Sequence, residues 1–151
     1  MRAFILLMAC AVFSFANQYT FMLKPYTKEL ELEAKIIAKI ASKSTDDAVR
    51  LYIPEITEDE VQVYKEYFTL VQDCRDANFV FIKRGAKIDE VCKNKERLFF
   101  TNNYRKLLND STYFGAFFWN KSRPNIVFIK ERLETYSVSL PKEYEKFVED
   151  F

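Results

Sequence analysis

The chain has 151 residues, a formal net charge of +1, and side chains that are 49% hydrophobic and 17% aromatic. That length suits one domain with a real core, and the apolar content excludes disorder over most of the chain. The near-zero charge lacks the basic footprint of a nucleic-acid binder. With no histidine anywhere, the usual catalytic triads and the commonest metal ligand are missing.

The first residues carry the clearest signal. Met1-Arg2 is a short positive region, and Ala3 to Phe13 (AFILLMACAVF) is an apolar run too short for a membrane-spanning helix, which needs roughly 17–25 residues. Ser14-Phe15-Ala16 then places small residues where signal peptidase reads them. The pattern predicts a signal peptide over 1–16, cleaved after Ala16, and a periplasmic mature chain of 17–151. An uncleaved anchor or a buried N-terminal strand is the alternative. Leu7-Met8-Ala9-Cys10 is a poor lipoprotein site, because too little apolar sequence precedes the cysteine and Met8 fits badly there.

After a polar and aromatic stretch, Asn17 to Pro25, residues Thr27 to Ser42 have helical spacing. Leu30, Ala34, Ile37 and Ala41 share one face, and Glu31, Lys35, Lys39 and Lys43 lie outside. Ala48 to Ile53 alternates as a strand does and Pro54 ends it. Thr57-Glu58-Asp59-Glu60 is a capping box with Ile56 and Val61 as its hydrophobic staple. The stripe Val61, Tyr64, Phe68 and Val71 predicts that this helix runs on to near Cys74. Asn78 to Ile82 reads as a strand covered on both faces, Ala86 to Lys93 as a short helix, and Arg97 to Thr101 as a third strand. Strands separated by helices imply parallel pairing through right-handed crossovers.

The last third changes character. Tyr104 to Asn109 allows a brief helix, and Tyr113 to Trp119 and Asn125 to Ile129 form a hairpin around Asn120-Lys121-Ser122-Arg123-Pro124. Pro124 belongs at a strand start or on an edge, and Gly115 marks a bulge or a close backbone approach. Strict alternation puts Tyr113, Gly115, Phe117 and Trp119 on one face and Phe114, Ala116 and Phe118 on the other. Leu133 to Tyr136 and Lys142 to Asp150 read as helices. The fold class expected is α/β, a single domain with a mixed sheet of about five strands. Three are parallel, an antiparallel hairpin closes the sheet, and helices cover both faces.

Chemistry-bearing motifs are scarce. Two glycines make no phosphate-cradling loop. Cys74 and Cys92 lack a CxxC partner and a histidine, so neither a zinc site nor a papain-like site assembles in the familiar ways. In an oxidising compartment they are a candidate disulfide; two buried thiols are the alternative, and sequence alone does not orient their Cβ atoms. Glu58, Asp59 and Glu60 are explained by capping, and Glu131, Glu134, Glu143 and Glu145 by solvated helix faces. The basic group Lys83, Arg84, Lys87, Lys93, Lys95 and Arg97 could attract an anion or an acidic partner, but Asp89, Glu90 and Glu96 dilute it, and a solvated helix and loop is the preferred reading. The aromatic run from Tyr113 to Trp119 needs a cover on each face, from a helix of the chain, a partner or an apolar ligand. Trp119 and Arg123 are the candidate partner-binding residues, since interface hot spots favour these types.

The element order resembles the YfiR-like family of small periplasmic regulators. The resemblance rests on the leading helix around Glu33-Ala34-Lys35-Ile36-Ile37-Ala38-Lys39-Ile40 and the strands Val49-Arg50-Leu51-Tyr52-Ile53 and Phe79-Val80-Phe81-Ile82. In the C-terminal third it rests on Leu98-Phe99-Phe100-Thr101, Gly115-Ala116-Phe117-Phe118, Ile126-Val127-Phe128-Ile129, Arg132-Leu133 and the closing Val138-Ser139-Leu140-Pro141. Here Ser137 stands where the family usually has a glycine, and Pro141 where it usually has a serine. The missing histidine and catalytic motifs point to a non-enzymatic protein without cofactor or metal, and the resemblance implies a regulatory binding protein. Such a protein binds the periplasmic part of an inner-membrane signalling protein, often a diguanylate cyclase, and holds it inactive. A periplasmic small-ligand binder is the alternative.

Overall fold

The computed structural model describes residues 27–151; the predicted signal peptide, its cleavage after Ala16, Cys10 and the stretch 17–25 lie outside the described residues. In chain order the elements are α1 (Lys28–Ser44), β1 (Arg50–Tyr52), α2 (Glu58–Tyr64), β2 (Thr69–Leu70), β3 (Phe79–Ile82), β4 (Leu98–Thr101) and α3 (Tyr104–Asn109). There follow β5 (Tyr113–Asn120), β6 (Arg123–Ile129), α4 (Lys130–Thr135), a 3₁₀ helix at Lys142–Phe147, and β7 (Val148–Glu149). Two shorter 3₁₀ turns, Cys74–Asp76 and Glu90–Cys92, lie in the connections into β3 and β4.

The strands form one sheet in the order β2-β1-β3-β4-β5-β6-β7. The first five are parallel, β5 and β6 form an antiparallel hairpin, and β7 runs parallel to β6. The expected α/β mixed sheet is present, but it has seven strands rather than about five. The two extra strands have two residues each and sit at the two edges. Their pairing is tertiary: the Val71 amide donates to the Leu51 carbonyl at 3.0 Å, and β7 reaches only Phe128 and Ile129 of β6.

These edges overturn two predicted helices. The second helix stops at Tyr64 instead of continuing to Cys74, because Thr69–Leu70 pairs with β1. The final segment is a 3₁₀ helix that gives way to β7 instead of an α-helix to Asp150. The predicted helix over 86–93 is also reduced to the 3₁₀ turn Glu90–Cys92, where Cys92 is bonded to Cys74 and the Arg97 guanidinium donates to the Cys92 carbonyl at 3.3 Å and to the Arg75 carbonyl at 2.9 Å.

Strand alternation divides the core in two. Phe79, Phe81, Phe100, Phe114, Phe117 and Phe128 face α1 and α2, which cover them with Ala34, Ile37, Ile40, Ala41, Val63 and Tyr64. On the other face Val80, Ile82, Phe99, Tyr113 and Ala116 are covered by Leu107 of α3 and by Ala77 and Ala86 of the loops. The chain moves outward from β1 to β2 beneath α2 and returns through β3, β4 and β5 beneath the opposite layer. A right-handed crossover requires this change of face when the direction of travel reverses.

The step from Phe99 to Phe100 on β4 corresponds to a step from Tyr113 to Gly115 on β5. This bulge puts Phe114 and Gly115 on the same face and turns Tyr113 to the opposite one, so strict alternation fails upstream of Gly115. A Cβ at Gly115 would lie 2.6 Å from Phe128 Cδ1 and 2.7 Å from Phe100 Cε2. The hairpin loop is only Lys121-Ser122, with φ of 49° and 60°, the left-handed pair of a type I′ turn. Pro124 is the second residue of β6, on a stretch that β7 does not reach, so its missing donor leaves no ladder bond unmade.

The end of α4 is a Schellman motif. The Val138 amide donates to the Leu133 carbonyl at 2.8 Å and the Ser137 amide to the Glu134 carbonyl at 3.2 Å, with Ser137 at φ 54°. Serine has a Cβ penalty in this conformation that glycine lacks. Ser137→Gly is therefore expected to stabilise the fold by about 0.5–1 kcal/mol, read as a higher urea midpoint at unchanged slope; a lower midpoint would refute it.

Candidate functional site

A parallel sheet of order 2-1-3-4-5 usually binds ligands outside the carboxyl ends of its strands, above all where the winding direction reverses, between β1 and β3. In this chain that crevice is filled by its own side chains. The Lys83 ammonium, just past β3, donates to both Glu60 carboxylate oxygens at 2.7 and 2.9 Å and to the Glu55 carbonyl at 3.4 Å. Glu60 also completes the capping box: its carboxylate accepts from the Thr57 amide at 2.8 Å, and its own amide donates to Thr57 Oγ1 at 3.3 Å. Burial opposes charge on Glu60, but hydrogen bonds from Lys83 and Thr57 outweigh it and hold the carboxyl below its ordinary range.

Behind this pair, on the α1 side, Glu33 is only 8% exposed and accepts from the Tyr64 hydroxyl at 2.7 Å. Burial raises the Glu33 carboxyl above its ordinary value. The Tyr64 hydrogen bond opposes that shift, Glu60 adds to it, and Lys83 lessens it. A carboxyl raised on folding contributes stability that is fully present below its unfolded pKa and lost as pH rises through its folded pKa. Glu33→Gln keeps an acceptor for Tyr64 and removes the charge. It is expected to raise the melting temperature at pH 8 and leave it nearly unchanged at pH 4; an equal shift at both pH values would rule out titration of Glu33 as the cause.

The open site lies further along the same end of the sheet, beyond β3, β4 and β5. A cleft of about 400 Å³ is lined by Arg84, Asn102, Asn103, Tyr104, Arg105, Phe118 and Trp119. Its walls are tied together. Thr101 Oγ1 donates to the Ile82 carbonyl at 2.8 Å and accepts from the Asn103 amide at 3.1 Å, and Asn102 Oδ1 accepts from the Arg84 amide at 2.5 Å. Asn103 caps α3 by accepting from the Lys106 amide at 3.2 Å. Tyr104 is 36% exposed, and its ring centroid lies 5.3 Å from that of the half-buried Phe118. Trp119, also half-buried, packs edge-on against Phe117 at 5.6 Å.

Trp119 lines the cleft, whereas Arg123 lines a neighbouring hollow with Asn120, Lys121 and Asn125. Register pairs Trp119 with Pro124 and Asn120 with Arg123, so the two predicted partner-binding residues project from opposite faces of the hairpin. Arg123 shares its face with Phe118. The aromatic run is mostly covered from within: Tyr113, Phe114 and Phe117 are fully buried, leaving Phe118 and Trp119 half-open.

The basic group from Lys83 to Arg97 does not form one surface. Lys83 is bound to Glu60, Lys93 pairs with Glu90 at 2.8 Å, Arg97 holds loop carbonyls at the opposite end of the sheet, and Arg84 alone lines the cleft. Sequence reading named Arg84 only as part of that diluted basic group and missed Asn102, Asn103, Tyr104 and Arg105; their signal was position immediately after a parallel strand. Cys74 and Cys92 are joined, with Cα atoms 5.6 Å apart. Among the described residues no cluster of three or more metal-ligating side chains occurs, and no helix is long and apolar enough to cross a membrane.

The chain matches no described protein family and no curated protein. Among solved structures it is similar to a conserved domain protein from Vibrio cholerae O1 biovar El Tor, with a TM-score of 0.55 at 9% sequence identity. The match covers 80% of this chain and 59% of that one, so this chain spans about six-tenths of the other's length, and at that identity the likeness is one of fold alone.

Proposed function

We propose that the protein is a periplasmic, non-enzymatic regulator or adaptor that binds the periplasmic part of an inner-membrane signalling protein, with a diguanylate cyclase as the partner class implied by the YfiR-like resemblance. The observation that carries this reading is the aromatic cleft. Tyr104, Phe118 and Trp119 line it on a framework of internally bonded loops beside Arg84 and Arg105, and tyrosine, tryptophan and arginine are the residue types that dominate interface energetics. The absence of histidine from the sequence and the ion pair filling the switch-point crevice weigh toward binding rather than chemistry.

Capture from solubilised membranes tests the reading. Wild-type protein is expected to retain one membrane protein with a domain outside the cytoplasm, and Trp119→Ala to lower that capture at least about tenfold. Trp119 is only half-buried, so the variant is expected to remain folded. Arg123, exposed and without an ion pair or side-chain hydrogen bond among the described residues, should be replaceable by alanine with no change in melting temperature. The cleft's volume favours a second reading, a small-ligand binder. A defined small molecule that co-purifies with the protein, with no membrane protein captured, would replace the regulator by that reading.

A further inference from the structure

The ionisable groups around the cleft are all of one sign. Arg84 and Arg105 line the cleft, Lys121 and Arg123 line the adjoining hollow, and no carboxylate lines either. All four side chains are exposed, and none has an ion pair or side-chain hydrogen bond among the described residues. This is a local departure, since acidic and basic residues nearly balance over the whole chain. Several cations elsewhere are paired with carboxylates, Lys35 with Glu31, Lys39 with Glu143, Lys83 with Glu60, Lys93 with Glu90 and Lys130 with Asp150, whereas this group gathers four cations, unpaired among the described residues, around the cleft and its adjoining hollow.

Between these cations lie the Tyr104 and Phe118 rings and the side-chain amides of Asn102, Asn103, Asn120 and Asn125. Asn102 and Asn103 already accept from the Arg84 and Lys106 amides, and Asn125 already donates to the Arg123 carbonyl. The Nδ2 groups of Asn102 and Asn103, the Asn125 Oδ1 and the Asn120 amide are left to pair with a peptide backbone, which offers one donor and one acceptor per residue. A polyanion such as nucleic acid or an anionic membrane depends on a larger summed positive field than a chain of net charge +1 supplies. Charge, amides and rings together fit a protein segment that carries carboxylates on both sides of an apolar side chain.

We infer that the surface formed by the cleft and the hairpin tip docks an acidic polypeptide segment, whose carboxylates meet Arg84, Arg105, Lys121 and Arg123 while an aromatic or aliphatic side chain enters between Tyr104 and Phe118. The inference rests on the binding role proposed above and specifies the chemistry of the partner. Arginine favours this arrangement because its fork takes a carboxylate through two parallel hydrogen bonds.

Trp119 is the sole tryptophan of the chain and lines the cleft, so its emission reports occupancy. The protein as processed by the cell is used to select from a displayed library of random dodecapeptides, and the selected peptides are synthesised and titrated while Trp119 emission is followed. The expected clones carry more Asp and Glu than Lys and Arg, with at least one large apolar residue. They shift Trp119 emission and bind at least tenfold more weakly in high salt. Arg84→Glu with Arg105→Glu lowers their affinity at least tenfold at an unchanged melting temperature, whereas Lys121→Glu with Arg123→Glu has a smaller effect.

Neutral or basic clones that still shift Trp119 would overturn the acidic partner and leave the binding surface standing. Undiminished binding of acidic clones by the Arg84→Glu and Arg105→Glu variant would do the same. A Trp119 shift with phosphatidylglycerol vesicles and none with peptides would replace the protein partner by a membrane. No selected clone together with no membrane protein captured would remove both the inference and the role on which it rests.

Discussion

Replacing both Cys74 and Cys92 by alanine is expected to lower the unfolding free energy by about 3 kcal/mol, which for a domain of this size is a fall of roughly 10 °C in melting temperature. The bridge spans 18 residues and joins the 3₁₀ turn before β3 to the 3₁₀ turn before β4. Cross-linking acts mainly by shrinking the unfolded ensemble, so the variant should also show a steeper denaturant dependence as that ensemble expands. The folded circular-dichroism spectrum should change little, because Arg97 holds the carbonyls of Arg75 and Cys92 independently of the bridge. A double variant that melts within about 2 °C of wild type would show that these loops are held without it. The cleft lies at the other end of the sheet, and peptide or partner binding is expected to survive the change.

Gly115→Ala is expected to destabilise the protein by about 2–3 kcal/mol, at the upper end of what one added methyl does in a packed core. Carbon atoms prefer to stand about 3.5–4.0 Å apart. The new Cβ would sit 2.6 Å from Phe128 Cδ1, 2.7 Å from Phe100 Cε2 and 3.0 Å from the Val127 carbonyl oxygen. Neither ring has room to withdraw. Both are fully buried, and their centroids lie 5.4 and 6.2 Å from that of Phe114 and 6.1 Å from each other. Because the strain is steric, combining Gly115→Ala with Phe128→Leu should cost less than the sum of the two changes. Full additivity in that cycle, or an unchanged melting temperature for Gly115→Ala alone, would contradict the steric account.

Features that depend on neighbouring residues were legible in the sequence. The Thr57–Glu60 capping box, the amphipathic face of α1 and the continuous apolar runs of β3 and β4 each arise within a few positions, from hydrogen bonds or periodicities that the residues carry with them. Pro124 on a part of β6 that β7 does not reach follows likewise from its missing donor. Ser137 was legible only as a departure from the glycine of the resembled family; that it lies in the left-handed cap of α4 came from the structure.

What the sequence by itself determined is the α/β class, most of the helices and central strands, and a chain without histidine and poor in catalytic motifs. What only the tertiary structure decided depends on residues far apart in the chain. The β2 and β7 edge strands form because β1 and β6 offer them unpaired backbone, and this overrides local helical periodicity. The bulge before Gly115 arises from register against β4 and exchanges the faces of Tyr113 and Phe114. Arg84, Asn102–Arg105, Phe118 and Trp119 come from three strand ends, and they meet only because parallel strands bring their carboxyl ends to one side of the sheet. A site built from long-range adjacency leaves no periodicity and no spacing in the sequence, so packing alone brings it together.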